Sequence, residues 1–192
     1  MTNLAWNVER VLPSAIADLH KLISIPSISS MPEHDADVAA CAEAVAGLFQ
    51  DLGASEVKFL EGGGKPAVWA NFPGPEGTPT VLLYAHYDVQ PTGDIEAWTS
   101  PAFEPTERDG RLYARGSADD KGGVALHLAA LRVFNGAPPV GVKVFIEGEE
   151  EIGSPTMPTL LDRYRDELAA DVYVVADSVN WEVGKPSLTT SL

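Results

Sequence analysis

The chain has 192 residues, of which 45% are hydrophobic and 21% charged, an ordinary globular composition that excludes disorder of the whole. Its 13 Lys and Arg stand against 28 Asp and Glu, and the resulting net charge of −15 excludes a surface built to grip nucleic-acid phosphates. A single cysteine, Cys41, excludes an intrachain disulfide and fits a reducing compartment.

The first residues, MTNLAWNVERV, lack a basic segment followed by an apolar one, so no signal peptide is read there. No apolar run approaches the roughly 18 residues of a membrane span. The expectation is a soluble, cytoplasmic protein with no membrane and no nucleic-acid partner. The acidic excess serves solubility, with part of it free to bind cations in one site.

In chain order, SAIADLHKLISI (14–25) places Ile16, Leu19, Leu22 and Ile23 at helical spacing, and Pro26 stops that helix. His20 on this helix reads as surface or filler. Residues 33–52 form a second helix with an acidic first turn, which suits the helix dipole, and Gly53 follows as its C′ residue. His34, Asp35 and Asp37 read as that acidic turn and not as a metal cluster. Cys41 falls in the apolar pattern and reads as a buried structural thiol.

Strand-like runs follow at Val57–Leu60, Ala67–Phe72 and Thr80–Ala85, separated by glycine and proline turns. The glycines of EGGGKP lack phosphate-loop spacing and receive no nucleotide role. Asp109–Gly110 marks a hairpin between Glu104–Asp109 and Leu112–Arg115. A helix is expected over Lys121–Phe134, a strand over Val140–Glu147, a helix near Met157–Arg165 and a strand over Val172–Ala176. Helices interleaved with apolar strands give an α/β fold whose sheet is substantially parallel, and the hairpin suggests that it is mixed.

Four polar clusters interrupt the ends of these strands, where open α/β sheets gather their sites. The first is YAHYDVQP, in which His86 and Asp88 share a side by strand alternation. His86 reads as a metal ligand and Asp88 as the carboxylate that orients it. The second is ARGSADDKGG, where adjacent acids either cap a helix or offer a carboxylate, Asp119, able to bridge two cations. The third is EGEEEIGS, where Glu149, Glu150 and Glu151 repel one another unless cations or solvent neutralise them. Alternation sends Glu150 and Glu151 to opposite faces, so both reach one site only if the chain bends, and Gly153 and Pro155 favour a bend. The fourth is Asp177 at the end of VYVVA.

One histidine and several carboxylates, without a cysteine cluster, form a donor set suited to zinc, with manganese or cobalt possible. Two such ions about 3.5–4 Å apart can activate water and polarise a carbonyl, and an unligated glutamate beside them serves as general base.

The stretches HYDVQP, RLYARGSADDKGG, EGEEEIGS and VVADS resemble those of the carnosine dipeptidase, aminoacylase and carboxypeptidase G family of dizinc hydrolases. The segment EAWTSPAFEPTERDGRLYARGSADDKGG is especially similar to its dipeptidase branch. The resemblance implies a three-layer zinc-exopeptidase-like domain with a mixed, mostly parallel sheet. It implies that His86 and Asp177 ligate one zinc, that Glu151 ligates the second, and that Asp119 bridges both through a cis Asp119–Asp120 peptide. It makes Glu150 the general base and Asp88 its neighbour in support of His86.

Members of that family continue into a lid or dimerisation domain and a later catalytic segment that carries another histidine ligand. His20, His34 and His127 match no ligand motif, and His127 reads as packing or surface. Residues 1–192 are therefore expected to be the N-terminal portion of the catalytic domain, truncated before the lid and inactive or nearly so alone. The whole protein is expected to hydrolyse dipeptides or similar small carboxylate-bearing peptides, as a homodimer through the lid. An N-acyl amino acid deacylase or desuccinylase and a non-catalytic metal-binding module are the competing readings.

Overall fold

The computed structural model describes residues 4–188, with side chains from residue 7 onward. Residues 189–192, next to the point where the resemblance places the start of a lid, lie outside the described residues. Among the described residues no helix is long and apolar enough to cross a membrane.

Helix α1 spans Leu4–Ile23 and runs through Pro13, so it begins well before the expected residue 14. A proline removes one backbone donor and favours a break. Here Val11 and Ala15 on either side of it are buried, and tertiary packing holds the helix together across it. A 3-10 turn at Pro32–His34 leads into α2, Asp35–Asp51, whose Val38, Cys41, Ala42, Val45 and Phe49 form one buried stripe. Gly53 follows with φ +96°, the left-handed position expected of it.

The remaining elements are β1 (Glu56–Leu60), β2 (Ala67–Phe72), β3 (Thr80–His86), β4 (Thr106–Arg108), β5 (Arg111–Tyr113), α3 (Lys121–Val133), β6 (Gly141–Glu147), α4 (Met157–Arg163), α5 (Arg165–Leu168) and β7 (Val172–Val175). The main sheet has the order β1-β2-β6-β3-β7. Strand β3 pairs in parallel with β6 and β7, whereas β2 is antiparallel to β1 and β6. Four of the five strands therefore run one way and β2 alone is reversed.

The hairpin at Asp109–Gly110 forms, with both residues at positive φ (51° and 73°), but β4 and β5 make a separate two-stranded ribbon. The mixed character of the main sheet comes from β2, not from this hairpin as expected. The ribbon strands are three residues each and none of these residues is buried, so they present no buried apolar face to the main sheet.

Alternate residues of the sheet feed two cores. Val68, Ala70, Phe72, Ala85, Val142, Val144 and Ile146 meet α1, α2 and α3 on one face. Leu60, Ala67, Trp69, Leu82 and Phe145 meet Leu160 of α4 and Leu168 of α5 on the other. The result is three layers, helix on sheet on helix. At the edge strand β7, Val172, Tyr173, Val174 and Val175 keep 39–59% of their surface exposed. At the start of this strand Asp171 grips Thr80 twice: its N–H donates to the Thr80 carbonyl (2.9 Å), and its Oδ2 accepts from the Thr80 N–H (2.7 Å).

Candidate metal centre

The parallel strands β3, β6 and β7 end on the same rim, and His86, the glutamate triplet and Asp177 leave them there. The loop before α3 brings Asp119 to the same place. His86 Nε2 lies 3.0 Å from Asp119 Oδ1, 3.9 Å from Glu150 Oε2 and 4.0 Å from Asp177 Oδ2. One donor atom each from His86, Asp119 and Glu151 falls within a 4.8 Å span, as does one each from His86, Asp120 and Asp177. All six residues singled out from the sequence, including Asp88, are thus gathered in one place.

His86 is fully buried, and its Nδ1 faces the Asp88 backbone carbonyl at 3.0 Å and Asp88 Oδ1 at 3.3 Å. The nearer partner is the carbonyl, not the carboxylate expected to orient the ring. When the ring is neutral, an Nδ1–H donated to that carbonyl leaves Nε2 as the lone-pair nitrogen facing the acids. In the absence of metal, burial pulls the imidazolium down, but the Asp88 side chain and the charges of Asp88, Asp120 and Asp177 outweigh it and push the pKa up to about 10.

The Asp88 carboxylate is also fully buried and does its main work elsewhere. Its Oδ2 accepts from Ser29 Oγ (2.6 Å) and from the Glu151 N–H (3.1 Å), and its Oδ1 accepts from the Glu150 N–H (3.2 Å). These bonds fold Glu150–Ile152 into a 3-10 turn that ends at Gly153, φ +83°. That turn is the bend needed for Glu150 and Glu151 to serve one site. Glu149 points away from it: its Oε1 accepts from the Lys65 N–H at 2.9 Å, and its Oε2 accepts from Thr156 Oγ1. A Cβ on Gly64 would fall 2.0 Å from Glu149 Oε1, which explains a glycine in EGGGKP without any phosphate.

The adjacent acids divide the two roles that the sequence left open. The Asp119–Asp120 peptide is cis, as the resemblance implied. Asp120 is buried and caps α3, with Oδ1 accepting from the Gly123 N–H and Oδ2 from the His86 N–H, both at 3.1 Å. Burial pushes its carboxyl up to about 7, against the pull of His86. Asp119 is 62% exposed and free to turn toward a cation. Asp120 was not singled out as a site residue; its sequence signals were its position as a helix N-cap and the cis peptide that the resemblance implied.

Gln90 was also missed. Its Nε2 donates to Glu151 Oε2 (2.7 Å) and to the Glu151 carbonyl (3.1 Å). The other carboxylate oxygen, Glu151 Oε1, is buried and has no hydrogen-bond partner. A buried, unpartnered anionic oxygen carries a desolvation cost that a cation would remove. Burial raises the Glu150 carboxyl, and Asp177, Glu151 and Asp88 push it the same way against the pull of His86. A histidine nitrogen and crowded carboxylate oxygens, one of them orphaned, make a donor set that fits divalent cations.

The other histidines stand apart. His127 is buried, with Nε2 2.8 Å from the Tyr84 carbonyl. His34 pairs with Asp37 at 2.7 Å on the acidic turn. His20 Nε2 is buried without a partner.

The family model described as peptidase family M20/M25/M40 matches residues 82–190. The chain is 38% identical over 193 residues to cysteinylglycine-S-conjugate dipeptidase of Corynebacterium striatum, which covers 99% of this chain and 42% of that protein. It is 37% identical over 138 residues to succinyl-diaminopimelate desuccinylase of Delftia acidovorans, which covers 68% of this chain and 34% of that one. The crystal structure of human carnosine dipeptidase 1 superposes with a TM-score of 0.84 at 27% identity, over 92% of this chain and 41% of that chain. The chain thus spans less than half the length of each of these proteins.

Proposed function

The chain belongs to peptidase family M20/M25/M40, and on that footing we propose that it supplies the metal centre and general base of a dipeptidase whose whole length exceeds these residues. The family implies divalent metal ions. We assign two zinc ions, with manganese or cobalt as substitutes. His86 and Asp177 would hold one ion and Glu151 the other, with Asp119 as a ligand to both. When bound, the ions supply an acidified water and polarise the scissile carbonyl.

The observation that carries this reading is the position of Glu150. Its Oε2 lies 3.9 Å from His86 Nε2, beside the proposed ligands, and its side chain keeps 37% of its surface open to an incoming water. Its carboxyl is raised above the ordinary value, first by burial and then by its acidic neighbours. A carboxylate so placed takes the proton from the attacking water and returns it to the leaving amine. Asp88 holds the backbone of that carboxylate and the His86 ring in place. Asp120 holds the backbone of His86.

The proposed substrate is a dipeptide or similar small peptide with a free carboxylate. A second reading, an N-acyl amino acid desuccinylase, is favoured by the 37% identity to the Delftia acidovorans enzyme. The whole protein is proposed to act as a cytoplasmic homodimer through a lid domain. Residues 1–192 are proposed to be the N-terminal portion of the catalytic domain and to hydrolyse little or nothing alone.

The deciding experiment is a panel of dipeptides and N-succinyl amino acids with the whole protein, before and after chelation, in the wild type and Glu150→Gln. The expected result is dipeptide hydrolysis that chelator removes. Glu150→Gln should lower kcat about 10²–10⁴-fold while retaining metal. Near-normal kcat in that variant would remove the base assignment.

A further inference from the structure

We propose that Lys121 is the positioning residue that holds the Asp119 turn against the metal centre, an inference that rests on the metal-centre reading above. Lys121 opens α3 and has no exposed surface. Its Nζ donates to the Leu22 carbonyl (2.9 Å) and the Ile25 carbonyl (2.6 Å), at the C-terminal end of α1. Helix C-termini present unpaired carbonyls and the negative end of the dipole, so a cation is well received there.

The stem of the same side chain supports the other end of the turn. A Cβ on Gly116 would fall 3.2 Å from Lys121 Cδ and 3.5 Å from its Cγ, so the Gly116 backbone rests on the stem. Gly116 sits at φ +81°. The carbonyl of Ser117 lies against Gly122, where an added Cβ would be 2.6 Å away. The segment 116–120 is therefore clamped between the Lys121 stem, the first turn of α3 and Asp120. Asp119 projects from the clamp and meets His86 Nε2 at 3.0 Å.

An ammonium with no exposed surface is expensive to bury, and a methionine of similar length fills the same space without that cost. The head group therefore points to a task beyond packing. It fixes α3 to α1, and with α3 the turn that presents Asp119 and the Asp120 carboxylate that holds His86.

The test is a calorimetric zinc titration of the purified protein, in the wild type, Lys121→Met and Leu48→Ala. Leu48 lies in the α2 core away from the centre and serves as a control for general destabilisation. Lys121→Met is expected to weaken zinc binding about tenfold or more with circular dichroism unchanged, as supporting residues of metal ligands do. Leu48→Ala is expected to lower the thermal midpoint and leave zinc affinity within about twofold, well short of that supporting-residue loss.

A Lys121→Met affinity within about twofold of a zinc-binding wild type overturns the inference and leaves the metal centre standing. A wild type that binds no zinc overturns the metal centre itself. Amide exchange in the wild type gives a reading free of any variant. The Ile25 N–H, bonded to Leu22, and the Ser117 N–H, bonded to Ala114, are expected to open together. Independent opening of the two overturns the clamp.

Discussion

Asp88 holds the backbone of Glu150 from across the rim: its Oδ1 accepts the Glu150 N–H at 3.2 Å, while its Oδ2 takes the Glu151 N–H and Ser29 Oγ. One buried carboxylate therefore sets the direction of two acids that strand alternation would part.

Asp88→Asn tests that hold. An amide keeps the size but loses the charge, and its NH2 group faces donors where an acceptor is required. We expect a stability loss of about 1–3 kcal/mol and metal affinity weaker by about 10–100-fold. Urea denaturation reads the first and metal titration the second. Unchanged affinity would detach Asp88 from the centre.

Gln90→Ala removes the donor that fixes Glu151 Oε2 at 2.7 Å. Because Gln90 is itself exposed, the loss should lie near the low end for a supporting residue, about tenfold in affinity. The folded state should be as stable as before. A fall in stability without a change in metal affinity would show that the contact serves the loop and not the site.

Gly148→Ala places a methyl 2.1 Å from Tyr87 Oη and 2.3 Å from Cζ of the same ring. Tyr87 has no exposed surface, and its hydroxyl donates to the Pro66 carbonyl at 2.7 Å, so the ring has nowhere to withdraw. Overpacking of this kind costs about 1–3 kcal/mol. A melting curve that did not move would mean that the strand β6 end shifts freely.

Metal addition should stabilise the fold. Zinc at 100 times its dissociation constant adds about 2.7 kcal/mol if the unfolded chain does not bind it. A chelator should return the urea midpoint to its starting value, and Glu151→Gln should shrink the shift. A midpoint indifferent to zinc would remove the proposed centre.

Much of this arrangement was legible in the sequence because strands and chemistry alternate there. Apolar runs such as VLLYA end directly in His86, and VGVKVFI ends in Glu147 and the glutamates that follow. What the sequence hid depends on contacts remote along the chain. Nothing local says that Asp88 meets Glu150 and Glu151, so the bend in the triplet stayed an inference. Nothing local separates Asp119 from Asp120, since only the fold makes one exposed and the other buried between His86 and Gly123. Gln90 carries no charge, and although it lies in the HYDVQP stretch its contact with Glu151 appears only when the loop after β6 is laid beside it. The start of α1 before Pro13 was missed because a proline reads as a break until burial overrides it.

The double grip of Asp171 on Thr80 has a consequence at the far end of the sheet. The runs VLLYA in β3 and VYVV in β7 are apolar on both faces, so the pattern of side chains does little to choose their alignment. A slip of one residue between them would carry Asp177 about 3.3 Å along the strand and turn it to the opposite face. Asp171 lies six positions before Asp177 and Thr80 six before His86. The pin at one end is thus a ruler for the other: two equal lengths of chain, measured from the same bond, deliver a histidine and an aspartate to one end of the sheet, where the metal is proposed to sit.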